Sequence, residues 1–175
     1  ERAPHARERT LPSLERSTLF AREYTDQKFH GAGNATTQQI DLYPTAQLLY
    51  TPKQAEGAWL EIPFEIAKKE PLRLLLNKTC SYDFGQYQAY LNGVKLGDVM
   101  DFHNAKIVNQ EFHLLDFWPE PGRYTVRLEC VGKNPQSSGY YLGIESVRLR
   151  ERCPRVQEYG HDKDKDWRKE RILYR

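Results

Sequence analysis

Cysteine is scarce in this chain: there are three, Cys80, Cys130 and Cys153, with no CxxC pair and no Cys/His cluster. A zinc site draws several nitrogen or sulfur ligands from short-range pairs, so this spacing offers none. Cys80 and Cys130 fall at or near strand-like runs and read as small buried hydrophobes, with Cys153 as an exposed thiol. A disulfide between two of them stays open in an oxidising compartment. A basic excess is lacking as well. Lys and Arg number 26 against 24 Asp and Glu, a net charge of +2, which is not the footprint of a nucleic-acid surface. No run approaches the roughly 18 apolar residues of a membrane span. The HExxH and GxSxG patterns of metalloprotease and hydrolase sites are missing, and His30, His103 and His113 have no fixed nucleophile partner. The chain begins at Glu1 with neither Met nor a signal-peptide pattern, which suggests a processed protein or an excised piece.

Aromatic residues are plentiful: 11 Tyr, 7 Phe and 3 Trp argue against disorder. The dominant period is two. Along 59–66, Leu60, Ile62, Phe64 and Ile66 share one face, and along 122–131 Tyr124, Val126, Leu128 and Cys130 alternate with Thr125, Arg127 and Glu129. The run 72–79 is apolar enough for a strand buried on both faces. Residues 86–92 alternate up to Asn92-Gly93, a pair suited to a tight hairpin turn, and 94–97 begin the return strand. Residues 139–150 read as a closing strand and 111–117 as another. Short strands between turn signals, with no helix-period segment, predict an all-β fold, an antiparallel β-sandwich or jelly roll. Residues 1–16 and 151–175 are charged, lack an apolar face and read as irregular arms flanking a domain over 17–150.

Two stretches carry the densest chemistry: Ser81 to Gly93 with Gly97-Asp98 and Asp101, and Gly132 to Glu145. They resemble the jelly-roll, galactose-binding-like accessory modules at the C-terminal side of bacterial furanosidase-like glycoside hydrolases. Those modules carry S-x-D-Y-G-x-x-Q-x-x-L-D-G and later G-K-N-x-x-S-x-G-Y-x-x-G-I-D. Here Phe84 stands for the Tyr, Asn92 for the Asp of the turn, Arg123 for an earlier His and Glu145 for the final Asp. The resemblance implies a non-catalytic module that binds a polysaccharide or oligosaccharide outside the cell or in the periplasm, beside a glycoside hydrolase domain. The alternative is a structural or assembly module whose arms mediate contacts with an enzyme subunit or with a second copy. An activity of its own would be glycoside hydrolysis, but nothing selects a pair from Glu61, Glu65, Asp83, Asp98, Asp101 and Asp116.

Candidate ligand-binding residues are Tyr82, Asp83, Trp118, Asn134 and Tyr140, expected around one shallow groove. Aromatic faces stack on the C–H face of a sugar ring while Asp and Asn take hydroxyls. The same residues have plainer roles. Tyrosines pack sheets, Asp83 can close an Asx-turn with Gly85, and Asn134-Pro135 is turn chemistry that Lys133 caps. The resemblance also implies one structural Ca²⁺ held by an acid near the first strand and one near the last, by position Glu23 and Glu145. Calcium takes six to eight oxygens, so backbone carbonyls would complete the shell, and surface acids that bind nothing are the alternative. Asn34-Ala35-Thr36 and Asn77-Lys78-Thr79 match the glycosylation sequon, the second inside a predicted strand and so by chance.

Overall fold

Alternation along β5 (Trp59–Ile66) buries Leu60, Ile62 and Ile66 and leaves Glu65 exposed, because successive side chains of a strand point to opposite faces. The same rule operates in β10 (Gly122–Gly132), where Tyr124, Val126, Leu128 and Cys130 are buried between half-exposed neighbours. In the computed structural model of the protein, the described residues are 15–20, 28–30, 35–40 and 46–151. Among them no helix forms.

The strands make two sheets. In the first, β3 (Ala35–Gln39), β4 (Ala46–Tyr50), β11 (Leu142–Glu151), β6 (Leu72–Cys80) and β9 (Val108–Phe117) lie in that order. β1 (Glu15–Phe20) also pairs with β11. β6 occupies one edge of β11, so β4 and β1 share the other edge in succession, at residues 142–144 and 146–150. The second sheet runs β2 (Lys28–His30), β5, β10, β7 (Gln86–Leu91) and β8 (Val94–Asp101). Every named strand pair is antiparallel. The two inner faces close on Leu48, Tyr50, Leu60, Leu74, Leu76, Tyr87, Phe102 and Leu128. This is the β-sandwich that the period-two pattern predicts.

Local details follow the sequence closely in the middle of the chain. β6 is buried at every position except Arg73. Asn92 and Gly93 both have positive φ, 48° and 83°, as a two-residue turn joining right-twisted strands requires, and Asn92 Oδ1 accepts the Thr125 N–H at 2.9 Å. Cys80 and Cys130 are buried and free, while Cys153 lies outside the described residues. No helix of the described residues is long and apolar enough to cross a membrane.

Departures from expectation are largest toward the ends, while β8 and β9 run longer than the expected 94–97 and 111–117. β1, β2, β3 and β4 have no counterpart in the sequence reading. β3 is the polar run ATTQQ on a sheet edge, where nothing forces an apolar alternation. β11 begins at Leu142 instead of Gly139, since residues 137–141 are occupied in a loop contact described below. Phe64 is half-buried at the rim of the core, its ring stacked 6.0 Å from Tyr124. The arms expected at 1–16 and 151–175 fall almost wholly outside the described residues, with β1 starting at Glu15 and β11 reaching Glu151.

Edge strand β9 is fastened by charge. Arg73 grips Asp116 through two bonds of 2.7 and 3.0 Å, and His113 Nε2 sits 2.8 Å from the same carboxylate. Burial pushes the Asp116 carboxyl up, but His113 and Arg73 together outweigh it and hold the group well below the usual carboxylate range. Arg150 clamps Glu111 in the same two-pronged way.

Two outcomes are expected. Leu128→Ala, at a fully buried site, should lower unfolding stability by about 2–5 kcal/mol in a denaturant titration. Asp116 has a depressed folded-state value, so its contribution is complete above the unfolded carboxylate value of about 4 and is lost as pH falls toward the folded one. Asp116→Asn should therefore be less stable than the parent at pH 7, with the difference narrowing as the medium is acidified. A difference that widens in acid would refute this.

Candidate functional site

Two loops meet main chain to main chain at the end of the sandwich where β6 and β10 finish. Residues 81–85 follow β6 and residues 133–141 lead into β11. Gly85 N–H donates to Tyr141 O at 2.9 Å, Tyr141 N–H to Asp83 O at 3.1 Å and Ser138 N–H to Tyr82 O at 3.1 Å. The Ser137 hydroxyl is buried in the crossing, 2.7 Å from Phe84 O. Such an approach tolerates no side chain at two points. A Cβ on Gly139 would lie 2.9 Å from Asp83 O, and one on Gly85 would lie 3.0 Å from Gly132 O and from Tyr140 Cα.

Beside this crossing, on the outer face of the first sheet, is a cleft of about 310 Å³. Gln38, Ile40, Gln47, Leu49 and Thr79 line it from the sheet, and Ser81 to Phe84, Ile107 and Tyr141 from the loops. Its floor depends on Gly143. The Gln47 side chain reaches from β4 across β11 to accept the Thr79 hydroxyl at 2.7 Å, and its amide donates to Gln38 Oε1 at 2.8 Å. A Cβ at Gly143 would collide with Gln47 Oε1 and press on the Phe84 ring at 3.0 Å. The absent side chain is what lets a neutral amide cross the strand.

Above that floor stand Tyr82 and Asp83. Tyr82 is 55 % exposed, an unusual position for a ring of its size. Among the described residues the Tyr82 hydroxyl and the Asp83 carboxylate have no hydrogen-bond or ion-pair partner. The Asx-turn anticipated for Asp83 does not form, because Gly85 N–H is taken by Tyr141 O. Of the other acids in the candidate pool, Glu61 pairs with Arg127 at 3.1 Å, Glu65 with Arg123 at 3.6 Å, Asp116 with Arg73 and His113, and Asp101 with Asn134 at 3.0 Å, while Asp98 lies on β8, away from the cleft lining. For Asp101, burial raises the carboxyl pKa, while Asn134, the His103 N–H and Gln86 together bring it below the usual range.

The other expected ligand residues sit elsewhere. Asn134 is in the neighbouring loop, but its amide is held by Asp101, and its Oδ1 accepts Gln136 N–H at 2.9 Å. Tyr140 is half-buried under the Lys133 ammonium, 5.5 Å from the ring centre, and its carbonyl accepts the Tyr87 hydroxyl. Lys133 also donates to Ser137 O at 2.9 Å, so it does cap this turn. Trp118 is not part of the groove. It follows β9, whose last residue Phe117 pairs with Leu72 at the start of β6, so it belongs to the opposite end of the sandwich. The eleven residues of β10 separate the two ends, a span of about 30 Å. There Trp118 lies against Lys69, whose Nζ is 5.5 Å from its ring centre.

Of the two acids expected at calcium, Glu23 lies outside the described residues. Glu145 is 2 % exposed. Its Oε1 accepts the Asn77 amide at 3.0 Å and the Ser146 hydroxyl at 2.5 Å, with an Arg148 guanidinium nitrogen 3.9 Å away. Among the described residues, that oxygen is engaged by two protein donors with a guanidinium close by. No group of three or more His, Cys, Asp or Glu converges among the described residues. The bond from Asn77 also removes its sequon from consideration, since the amide is buried in β6.

Tyr141 and Gly143 belong to the dense stretch Gly132 to Glu145, whereas Gln38, Gln47, Thr79 and Ile107 carry no site signal in the sequence. Gln38 and Gln47 belong to β3 and β4, and only strand pairing brings them beside Thr79.

No family model matches the chain, and no curated protein matches its sequence. Solved structures match its fold. The chain is similar to a Paenibacillus xanthan lyase at 20% identity and a TM-score of 0.62, over 81% of this chain and 14% of that one. It is similar to a Podospora anserina GH26-CBM35 β-(1,4)-mannanase at 16% identity and a TM-score of 0.52, over 79% of this chain and 28% of that one. A third match is CBM35, a family 35 carbohydrate-binding module, from Paenibacillus barcinonensis, at 10% identity and a TM-score of 0.50, over 76% of this chain and 97% of that one. The chain thus spans only a fraction of the first two proteins and nearly the whole of the third. At these identities the likeness is one of fold alone, an antiparallel β-sandwich that the chain shares with that module.

Proposed function

We propose that the chain is a non-catalytic carbohydrate-binding module that holds a polysaccharide or oligosaccharide in the cleft beside Tyr82, as an accessory part of an extracellular or periplasmic polysaccharide-degrading enzyme. The observation that carries this reading is the pairing of an exposed Tyr82 ring with the unengaged Asp83 carboxylate at the mouth of the cleft. A sugar presents an apolar C–H face and a fringe of hydroxyls, so it needs an aromatic plane with acceptors and amides beside it. Tyr82 supplies the plane. Asp83 accepts hydroxyl protons, and the bonded Gln38 and Gln47 amides form an uncharged polar floor beneath. The volume of about 310 Å³ is at the small end for a ligand site, which suits a short stretch of a chain. The β-sandwich shared with a carbohydrate-binding module, over 97% of that module's length, supports the reading. The assembly alternative rested on the arms, which lie outside the described residues.

Binding on the order of 0.01–1 mM is expected, since a shallow, wet cleft exchanges one set of hydroxyl hydrogen bonds for another. Affinity electrophoresis through gels carrying a panel of soluble polysaccharides identifies the ligand class. Tyr82→Ala should lose retardation on the cognate polysaccharide while melting within a degree or two of the parent, because the ring is mostly in solvent. Full retardation by that variant would move the site away from the cleft.

Gly143→Ala probes the floor. The added methyl displaces the Gln47 amide, with a stability loss of about 1–3 kcal/mol expected from overpacking and a weaker retardation than the parent at a temperature where both are folded. An alanine variant that binds and melts like the parent would show that the floor is not needed.

A further inference from the structure

Resting on that reading of the cleft, we infer that Asp83 sets the charge class of the ligand: the cleft accepts uncharged glycans and turns away polyuronates. Asp83 is the one ionisable carboxylate among the described lining residues, and no described lysine or arginine lines the cleft with it. The described cations nearest in sequence to the cleft residues are directed elsewhere. Lys78 precedes the floor residue Thr79 in β6, so strand alternation turns it to the opposite face. Its ammonium is in the core, 4.0 Å from the centre of the Phe102 ring and 4.9 Å from that of Phe112, and it is 1 % exposed. Lys133 is occupied with Ser137 O and the Tyr140 ring. Lys106, exposed next to Ile107, is outside the lining.

The remaining polar groups of the lining are amides and hydroxyls from Gln38, Gln47, Thr79, Ser81, Tyr82 and Tyr141. These are neutral, and Gln38, Gln47 and Thr79 already bond one another, so none of them distinguishes a neutral sugar from a uronate by charge. The Asp83 carboxylate only accepts, so it matches a hydroxyl and opposes a second carboxylate. A uronate seated on the Tyr82 ring would bring its charge within several ångströms of Asp83 in a partly desolvated setting, where like charges repel appreciably. A neutral hexose or pentose chain meets no such opposition.

The experiment compares neutral chains (mannan, xylan and a mixed-linkage β-glucan) with polygalacturonate by affinity electrophoresis and calorimetry, using the whole chain and the variants Asp83→Asn and Tyr82→Ala. The parent should bind at least one neutral polysaccharide and bind polygalacturonate at least tenfold more weakly. Asp83→Asn, which keeps the shape and removes the charge, should narrow that ratio by about tenfold, and the narrowing should shrink as salt is raised. Parent protein that binds polygalacturonate as well as the neutral chains, or an Asp83→Asn variant with an unchanged ratio, overturns the inference while leaving glycan binding intact. If neither class binds, or Tyr82→Ala binds like the parent, the cleft reading itself fails and the inference falls with it.

Discussion

The crossing of the 81–85 and 133–141 loops is the constraint from which the candidate site follows. Three main-chain hydrogen bonds and the buried Ser137 hydroxyl join segments more than fifty positions apart in the sequence. The join fixes Tyr82 with its ring in solvent and Asp83 beside it, because their own backbone carbonyls are the acceptors that hold the opposite loop. Gly85 and Gly139 are required there for lack of space: each would place a Cβ at about 3 Å from the other loop's main chain. A pair of loops held in this way is a rigid mount, and rigidity limits the entropy lost when a weakly held ligand settles against the ring.

A second glycine shapes the cleft from below. At Gly143 the space left by a missing side chain is filled by the Gln47 amide, which binds Thr79 on one side and Gln38 on the other. Three strands, β3, β4 and β6, thereby contribute to one continuous polar floor across β11. Buried polar atoms are costly unless bonded, and here each of these side chains satisfies its neighbour. The arrangement carries no net charge, which leaves the electrostatic character of the cleft to Asp83.

Charge elsewhere in the molecule is handled differently. Glu145 is surrounded by donors, Asp116 by Arg73 and His113, and Lys78 by two aromatic rings and the Asp101 carbonyl. Burial lowers the Lys78 pKa, and the neighbouring Cys80 and Asp101 offset part of that. These groups are bound into the framework: Asp116 secures edge strand β9, and Lys78 joins β6 to the end of β8. Asp83 differs from them in having a carboxylate that the described framework does not use.

The sequence by itself determined the architecture of the middle of the chain. Alternation marked β5, β7 and β10, an apolar run marked β6, and Asn92-Gly93 marked the hairpin turn, because side-chain direction in a strand and backbone conformation in a two-residue turn are local properties. It also marked Tyr82 and Asp83, through aromatic and acidic residues at a loop–strand junction. The polar edge strand β3 and its partner β4 were not legible, since Ala35–Gln39 lies on an edge and has no buried face to impose an alternation. Trp118 and Asn134 looked equivalent as loop residues, yet the direction of β10 puts them at opposite ends of the sandwich. The union of Gln38, Gln47 and Thr79 over Gly143 was decided only in three dimensions, because strand order, unlike strand formation, depends on which faces can be buried together.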